Sequence, residues 1–220
     1  MKYFYIYIFI LSIIILLVSC FNTVRESFIN SSNNKNIVLL GDSILDNKSY
    51  VSDGKSVENF LIERNNNVYN LAKDNSKIID TFNQINNIPI KLNNKNTFIF
   101  LSVGGNDILS QYLDKNEDIT NTSILKSMLL SYKNLVKSIK NRNPNSNIIL
   151  LDIYYPNNLT YKRFHSIIKE WNQMLYNYGK KYNYNVLKIS EYLTQENDFS
   201  FGIEPSSNGG KKIAELILSI

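Results

Sequence analysis

The segment Ile37-Val38-Leu39-Leu40-Gly41-Asp42-Ser43 decides the fold. Its apolar half is typical of a strand that is buried on both faces, as in a parallel sheet. The run ends abruptly in Gly-Asp-Ser, which predicts a strand that delivers a serine to its carboxyl end. Ligands bind at the carboxyl ends of the strands in open α/β sheets, so we expect Ser43 to lie in a functional site.

A second strand-like segment further along the chain ends in the same way. Residues 97–103 read Thr-Phe-Ile-Phe-Leu-Ser-Val, and Gly104-Gly105-Asn106-Asp107 follows directly. Two buried strands that each finish in small and polar residues predict one site, assembled at one edge of a parallel sheet. We therefore expect Ser43 and Asn106 to face the same small cavity.

Strand-like and helix-like segments alternate over the rest of the chain, which is typical of a parallel sheet with helices on both faces. The predicted strands are residues 37–41, 68–72, 97–103, 147–154 and 185–189. The predicted helices are residues 55–65, 76–85, 123–140, 161–182 and 211–220. The expected fold class is therefore α/β.

Composition and charge favour an ordinary globular domain. The chain has 220 residues, of which 44% are hydrophobic and 20% are charged, and its net charge is +5. Lys and Arg are dispersed among Asp and Glu, which argues against a nucleic-acid partner. With one cysteine, one histidine and scattered carboxylates, we expect no intramolecular disulfide, no metal site and no cofactor.

The N-terminus predicts export or membrane anchoring. Residues 3–19 are almost continuously apolar, as in a secretory signal or a marginal membrane-spanning helix. The run ends in Leu17-Val18-Ser19-Cys20, which resembles a bacterial lipoprotein processing site with a lipidated Cys20; an uncleaved signal anchor is the alternative. We assign residues 1–21 to the signal or anchor, 22–36 to a polar tether and 37–220 to the domain.

Ser43 and Asn106 are residue types that acyl-transfer chemistry requires. Ser43 would lie just past the first strand, where N–H groups at the start of a helix favour negative charge. The Asn106 amide could donate a hydrogen bond to a developing oxyanion. The backbone N–H of Asn75, just beyond the second strand, could be a further donor, because asparagine tolerates a left-handed backbone.

These blocks, in their order and spacing, resemble the GDSL/SGNH hydrolase family. The matching segments are Gly41-Asp42-Ser43, residues 70–75, Gly104-Gly105-Asn106-Asp107 and residues 203–214. The resemblance covers roughly residues 37–220. It implies a three-layer α/β/α sandwich of SGNH or flavodoxin-like type, with a five-stranded, mainly parallel sheet.

The same resemblance implies a reaction. The expected activity is hydrolysis of an acyl ester, a thioester or an acetylated sugar through an acyl-serine intermediate on Ser43. The Ser43 N–H, the Asn75 N–H and the Asn106 side chain would form the oxyanion hole. Specificity in such folds lies in loops, here 44–55 and 107–122, so the sequence predicts a small-molecule or glycan ester and nothing narrower.

One part of the family pattern is missing. The family's last block reads Asp-x-x-His and supplies the general base and its orienter, whereas here Phe201 and Glu204 occupy these positions. Asn75 also replaces the usual glycine, but a backbone donor survives that change. Loss of the histidine is more serious, because a serine hydroxyl needs an adjacent general base.

Three interpretations of the missing histidine remain open. Glu204 is one candidate base, since burial can raise a glutamate pKa toward about 6–7 and Phe201 would help to desolvate it. His165, the only histidine, is the second candidate base. In either case Asp198 could orient the base. In the third interpretation the chain has little or no catalytic activity and binds an acyl or glycan ligand at a membrane or virion surface.

Overall fold

The computed structural model describes residues 35–64, 67–112 and 122–220, and a five-stranded sheet runs through them. Its strands are β1 (Asn36–Gly41), β2 (Asn67–Asn70), β3 (Thr97–Ser102), β4 (Asn147–Leu151) and β5 (Asn185–Leu187). The strand order is β2-β1-β3-β4-β5, and every neighbouring pair is parallel. The predicted α/β class and the five-stranded sheet are confirmed.

Helices and a small hairpin complete the described structure. The helices are α1 (Val57–Ile62), α2 (Ile78–Asn86), α3 (Gly105–Tyr112), α4 (Thr122–Arg142), α5 (His165–Tyr182) and α6 (Ser207–Leu218). The antiparallel hairpin consists of β6 (Phe199–Ser200) and β7 (Glu204–Pro205). Short 3₁₀ segments lie at Lys48–Tyr50, Ile90–Leu92, Leu159–Phe164, Ile189–Glu191 and Glu196–Asp198.

Each face of the sheet carries a hydrophobic core, because successive side chains of a strand point to opposite faces. In β1, Val38 and Leu40 belong to the core that α2, α4 and α5 cover. Ile37 and Leu39 belong to the opposite core, which α1 and α6 cover. The described domain is therefore a three-layer α/β/α sandwich, in which β1 is an interior strand between β2 and the central strand β3.

The fourth strand is shorter than predicted, because side chains replace its ladder of hydrogen bonds. The predicted strand ran to residue 154, but β4 ends at Leu151. The Asn172 side chain accepts from the N–H of Ile153 at 3.0 Å and donates to its carbonyl at 2.7 Å. The next segment therefore leaves the sheet and passes over the carboxyl ends of the strands.

The last helix begins earlier than predicted, at Ser207 instead of residue 211. The Ser206 hydroxyl caps it by accepting from the N–H groups of Asn208 and Gly209. Glycine weakens a helix, which is why the sequence did not predict helix here. Close packing requires it, since a Cβ on Gly209 would lie 2.2 Å from the carbonyl oxygen of Asp198.

The predictions for the N-terminus fall almost entirely outside the described residues. The signal or anchor at 1–21 and residues 22–34 of the predicted tether (22–36) are not described, and Asn36, the last residue of that tether, already belongs to β1. Within 35–64, 67–112 and 122–220, no helix is long and apolar enough to span a membrane. Export and the lipidation of Cys20 stay predictions.

Candidate active site

The turn after β1 holds Ser43 at the edge of the sheet. Gly41 has φ 129°, and a Cβ there would lie 1.6 Å from the carbonyl oxygen of Ser102 in β3. The Gln84 amide fixes this turn: it accepts from the Gly41 N–H and donates to the Gly41 carbonyl, both at 2.8 Å. Ser43, which is 7% exposed, then lines a cavity beyond the strand end.

Asp42 stabilises the same turn from inside the protein. Its carboxylate is buried and accepts a hydrogen bond from the N–H of Ile44 at 3.1 Å. Burial raises the pKa of Asp42 well above its usual value, and the nearby charge of Glu204 raises it further. Asp42 therefore positions the residues on either side of Ser43.

The end of β3 brings Asn106 into the same cavity. Gly104 has φ 125°, and a Cβ there would lie 3.1 Å from the ring of buried Trp171, so the backbone turns closely against α5. Asn106 follows in the first turn of α3 and lines the cavity together with Ser43. Its amide donates to the carbonyl of Ser76 at 3.1 Å. An amide has two N–H groups, so one remains for a ligand.

Asn75 adopts the left-handed backbone that its position suggested. Its φ is 60°, a region in which asparagine is tolerated and most other residues except glycine are not. It directly precedes Ser76, whose carbonyl binds Asn106. Asn75 itself is exposed and is not one of the residues that line the cavity around Ser43.

Glu204 supplies a second carboxylate to the cavity around Ser43, in addition to Asp42. It lies on β7 and lines the cavity, and the Ser43 hydroxyl is close enough to act on its carboxylate. Burial raises the pKa of Glu204; the Ser43 hydroxyl lowers it, and the charge of Asp74 raises it. Carboxylate oxygen Oε2 is buried without a hydrogen-bond partner among the described residues. Glu204 is thus a partly desolvated carboxylate in the same cavity as the Ser43 hydroxyl, which is the environment of a general base.

Two tyrosines support the Glu204 hairpin. The buried Tyr154 donates to the carbonyl of Ile203 at 2.6 Å, which anchors the strand that carries Glu204. The carbonyl of Tyr50 accepts from the hydroxyl of Ser200 in β6 at 2.9 Å, and the Tyr50 hydroxyl donates to Asp74 Oδ2 at 2.7 Å. Phe201, expected to desolvate Glu204, is 79% exposed and contributes little to its burial.

The other candidate base is engaged elsewhere. His165 Nε2 lies 2.9 Å from the carbonyl oxygen of Pro156, and its ring packs edge-on against Tyr155 at 5.3 Å. Pro156 lines the cavity, whereas His165 is not one of the lining residues. The structure therefore brings Glu204, and not His165, to the serine.

Asp198 is buried at the start of α6. Its carboxylate accepts from the N–H groups of Thr194 and Gln195, and pairs with Lys212 Nζ at 2.8 Å. Burial alone would raise the pKa of Asp198, but the hydrogen bonds from Lys212 and the backbone outweigh it, and the pKa is lowered. Its carboxylate thus secures the β6–β7 hairpin to α6 and does not line the cavity.

The described residues contain no group of three or more His, Cys, Asp or Glu side chains that could hold a metal ion. The cavity walls are instead mainly apolar. They are formed by Ile44, Ile108, Leu109, Ile153, Tyr154, Pro156, Phe164, Ile168 and Ile203. Four residues with polar side chains interrupt these apolar walls: Asp42, Ser43, Asn106 and Glu204.

A family model described as GDSL-like lipase/acylhydrolase matches residues 37–217. The chain belongs to this family. No functionally curated protein matches the sequence significantly. Membership confirms the family resemblance, and the chain is an esterase- or lipase-like hydrolase by family.

Solved structures of other proteins share the fold. A member of the lipolytic G-D-S-L family from Veillonella parvula is 19% identical, with 84% of this chain and 97% of that chain covered and a TM-score of 0.61. A GDSL-like lipase from Bacteroides thetaiotaomicron is 12% identical, with 90% of this chain and 96% of that chain covered and a TM-score of 0.64. The family 3 carbohydrate esterase of Clostridium thermocellum is 19% identical, with 84% of this chain and 94% of that chain covered and a TM-score of 0.57.

Sequence reasoning missed two residues of this GDSL site. Gln84 clamps both backbone groups of Gly41, and Asp74 acts on Glu204 through its charge. Gln84 lies on a helix without any local sign of function, so only the tertiary structure reveals its partner. Asp74 lies inside the block 70–75 that already resembled the family, and its charge beside the site was the available signal.

Proposed function

We propose that this GDSL-family chain hydrolyses carboxylic esters through an acyl-Ser43 intermediate, with Glu204 as the general base. The observation that supports this most is that Ser43 and the partly buried Glu204 line the same cavity, close enough for the Ser43 hydroxyl to lower the Glu204 pKa. The apolar walls of the cavity suit the acyl or alkyl group of an ester and exclude bulk water from the reacting atoms.

The reaction would proceed in two displacements. Glu204 accepts the Ser43 proton as Oγ attacks the ester carbonyl carbon. The Asn106 amide and the backbone N–H of Ser43 bind the oxyanion that forms. Glu204 returns the proton to the leaving alkoxide when the carbon–oxygen bond breaks, which leaves acyl-Ser43. Water, deprotonated by Glu204, then adds to the acyl carbon, and the proton passes to Ser43 Oγ as the acid is released.

Asn106→Ala tests the oxyanion hole. Loss of one preorganised donor is expected to lower kcat by about 10²–10³-fold with little change in KM, because the donor acts on charge that develops in the transition state. Steady-state hydrolysis of p-nitrophenyl acetate measures this effect. Asn134→Ala, a substitution on α4 outside this cavity, is the control and should retain wild-type rates. Equal rates for Asn106→Ala and wild type would remove Asn106 from the mechanism.

Asp74→Asn tests how the site tunes its base. The negative charge of Asp74 raises the pKa of Glu204, so its removal should lower that pKa. Glu204 acts as a base only when ionised, and the acid limb of the kcat/KM profile should therefore move to lower pH. Asp53→Asn, at an exposed aspartate outside the cavity, should leave the profile unchanged. An acid limb that stays in place or moves to higher pH would contradict this relation.

A further inference from the structure

A second concavity lies beside the candidate active site, with a volume of about 610 Å³. We call it the serine groove. Its lining residues are Ser49, Tyr50, Val51, Ser52, Asn197, Ser200, Phe201, Ser206, Ser207 and Asn208. All of them are uncharged, and hydroxyl and amide side chains predominate. The groove is thus polar and neutral, in contrast to the apolar cavity at Ser43.

The groove and the catalytic cavity share the β6–β7 hairpin. Ser200, on the groove side, is the cross-strand partner of Glu204. The Ser200 hydroxyl donates to the carbonyl of Tyr50 at 2.9 Å, and the Tyr50 hydroxyl binds Asp74, whose charge acts on Glu204. A ligand in the groove would therefore lie next to the general base.

Phe201 at the tip of this hairpin is both strained and exposed. Its φ is 54°, a left-handed conformation that is a genuine outlier for a bulky side chain. The ring is 79% exposed and meets Tyr50 edge-on, with 6.5 Å between ring centroids. Because the Phe201 ring is so exposed, it contributes little hydrophobic stabilisation to the free protein. The hairpin turn imposes this conformation, since Gly202 also has a positive φ of 71° and the Ile203 N–H donates to the Ser200 carbonyl at 3.2 Å. A bulky aromatic residue is unusual at such a turn position, and strained residues of this kind often mark ligand-binding sites.

The chemistry of the groove matches a carbohydrate. A sugar ring has an apolar C–H face that packs on an aromatic ring, and hydroxyls that exchange hydrogen bonds with serine and asparagine. The hydroxyls of Ser49, Ser52 and Ser207 make no hydrogen bond with another described residue, so they are available to a ligand. The groove lining has no cationic side chain, so it offers a phosphate or carboxylate ligand no charged partner.

We propose that the serine groove binds the sugar rings of an O-acylated glycan, with Phe201 as a stacking platform, and presents the acyl ester to Ser43. The proposal rests on the esterase function proposed above. It narrows the substrate class from esters in general to esters of carbohydrates. Phe201 determines specificity and takes no part in the bond-making steps.

Phe201→Ala separates glycan binding from ester hydrolysis. Substrates are an O-acetylated xylo-oligosaccharide, an O-acetylated chito-oligosaccharide and p-nitrophenyl acetate, which has no sugar. We expect KM to rise about tenfold on at least one oligosaccharide while kcat/KM on p-nitrophenyl acetate changes less than twofold. Leu159→Ala, at another exposed apolar side chain outside the groove, is the matched control and should change neither. Unchanged kinetics on both glycan esters, or equal losses on all three substrates, would overturn the proposal.

Two further measurements keep the outcomes distinct. If Phe201→Ala lowers only hydrolysis of an ester embedded in phosphatidylcholine vesicles, Phe201 contacts lipid and the glycan proposal fails. If wild-type protein hydrolyses no ester, the esterase function fails. The groove is then tested by saturation-transfer NMR with the deacetylated oligosaccharides. Their signals should weaken in Phe201→Ala, and an absence of transfer to wild-type protein would overturn the groove as a sugar site.

The strain itself gives an independent readout. Asparagine tolerates the left-handed region better than phenylalanine, so Phe201→Asn should raise Tm by about 2–4 °C while also raising KM on the glycan ester. If Phe201 served the stability of the fold, Phe201→Asn would lower Tm instead. A fall in Tm would mean that the ring packs for stability, which would contradict its assignment as a ligand platform.

Discussion

Ser43→Ala is expected to lower ester hydrolysis by about 10⁴–10⁶-fold and to abolish labelling by a fluorophosphonate probe, because the nucleophile and the site of phosphonylation are both lost. The fold should be unaffected, since the substitution removes one oxygen atom from the cavity wall. Steady-state kinetics and intact-protein mass spectrometry after labelling measure the two effects.

Ser102→Ala is the matched control for that experiment. Ser102 is a fully buried serine at the end of neighbouring β3, and its hydroxyl has no hydrogen-bond partner among the described residues. Unlike Ser43, it is not one of the residues that line the catalytic cavity. The Ser102→Ala variant should be labelled like wild type. Labelling that persists in Ser43→Ala would place the nucleophile elsewhere.

Glu204→Gln is expected to lower kcat by about 10²–10⁴-fold, since it removes the proton acceptor and keeps the shape of the side chain. The remaining activity should lose the acid limb of its pH profile, because that limb reports ionisation of Glu204. His165→Ala and Glu191→Gln, the latter at an exposed glutamate paired with Lys188, should retain wild-type activity. Loss of activity in His165→Ala instead would reassign the base to His165.

The same Glu204→Gln variant should gain stability at neutral and alkaline pH. The pKa of Glu204 is raised in the folded state above its usual 4.5, so the folded protein retains this proton when the unfolded chain has lost it. The stability of wild type therefore falls as pH rises from about 4.5 through the folded pKa, and glutamine does not titrate. Thermal unfolding should give a higher Tm for the variant at pH 8 and a smaller difference at pH 4. A lower Tm at pH 8 would contradict this.

Much of the fold could be predicted because local pattern and tertiary structure agree. The apolar run 37–40 fills both cores, so β1 needed no knowledge of its neighbours. The convergence of Ser43 and Asn106 followed from topology, since β1 and β3 are adjacent parallel strands that end together at Gly41 and Ser102. Family membership then accounts for the block order.

The remainder depended on contacts that no local pattern encodes. The end of β4 is determined by the Asn172 side chain, which is distant in sequence. Helix α3 follows β3 after only two residues, and its Gly-Gly-Asn start indicates a turn more strongly than a helix. The choice between Glu204 and His165 as the base depended on the positions of the β6–β7 hairpin, which carries Glu204, and of the start of α5, which carries His165. The sequence alone did not give these positions, so both candidates stayed open.

The activation of Ser43 by Glu204 is tested most directly by the rate at which a fluorophosphonate labels Ser43, followed by peptide mass spectrometry across pH 4–9 in wild type, Glu204→Gln and His165→Ala. We expect labelling at Ser43 that rises as Glu204 ionises, is at least about a hundredfold slower in Glu204→Gln and is unchanged in His165→Ala. Labelling of Ser43 at the wild-type rate in Glu204→Gln, or no labelling of folded wild-type protein, would contradict the claim that Glu204 activates this serine.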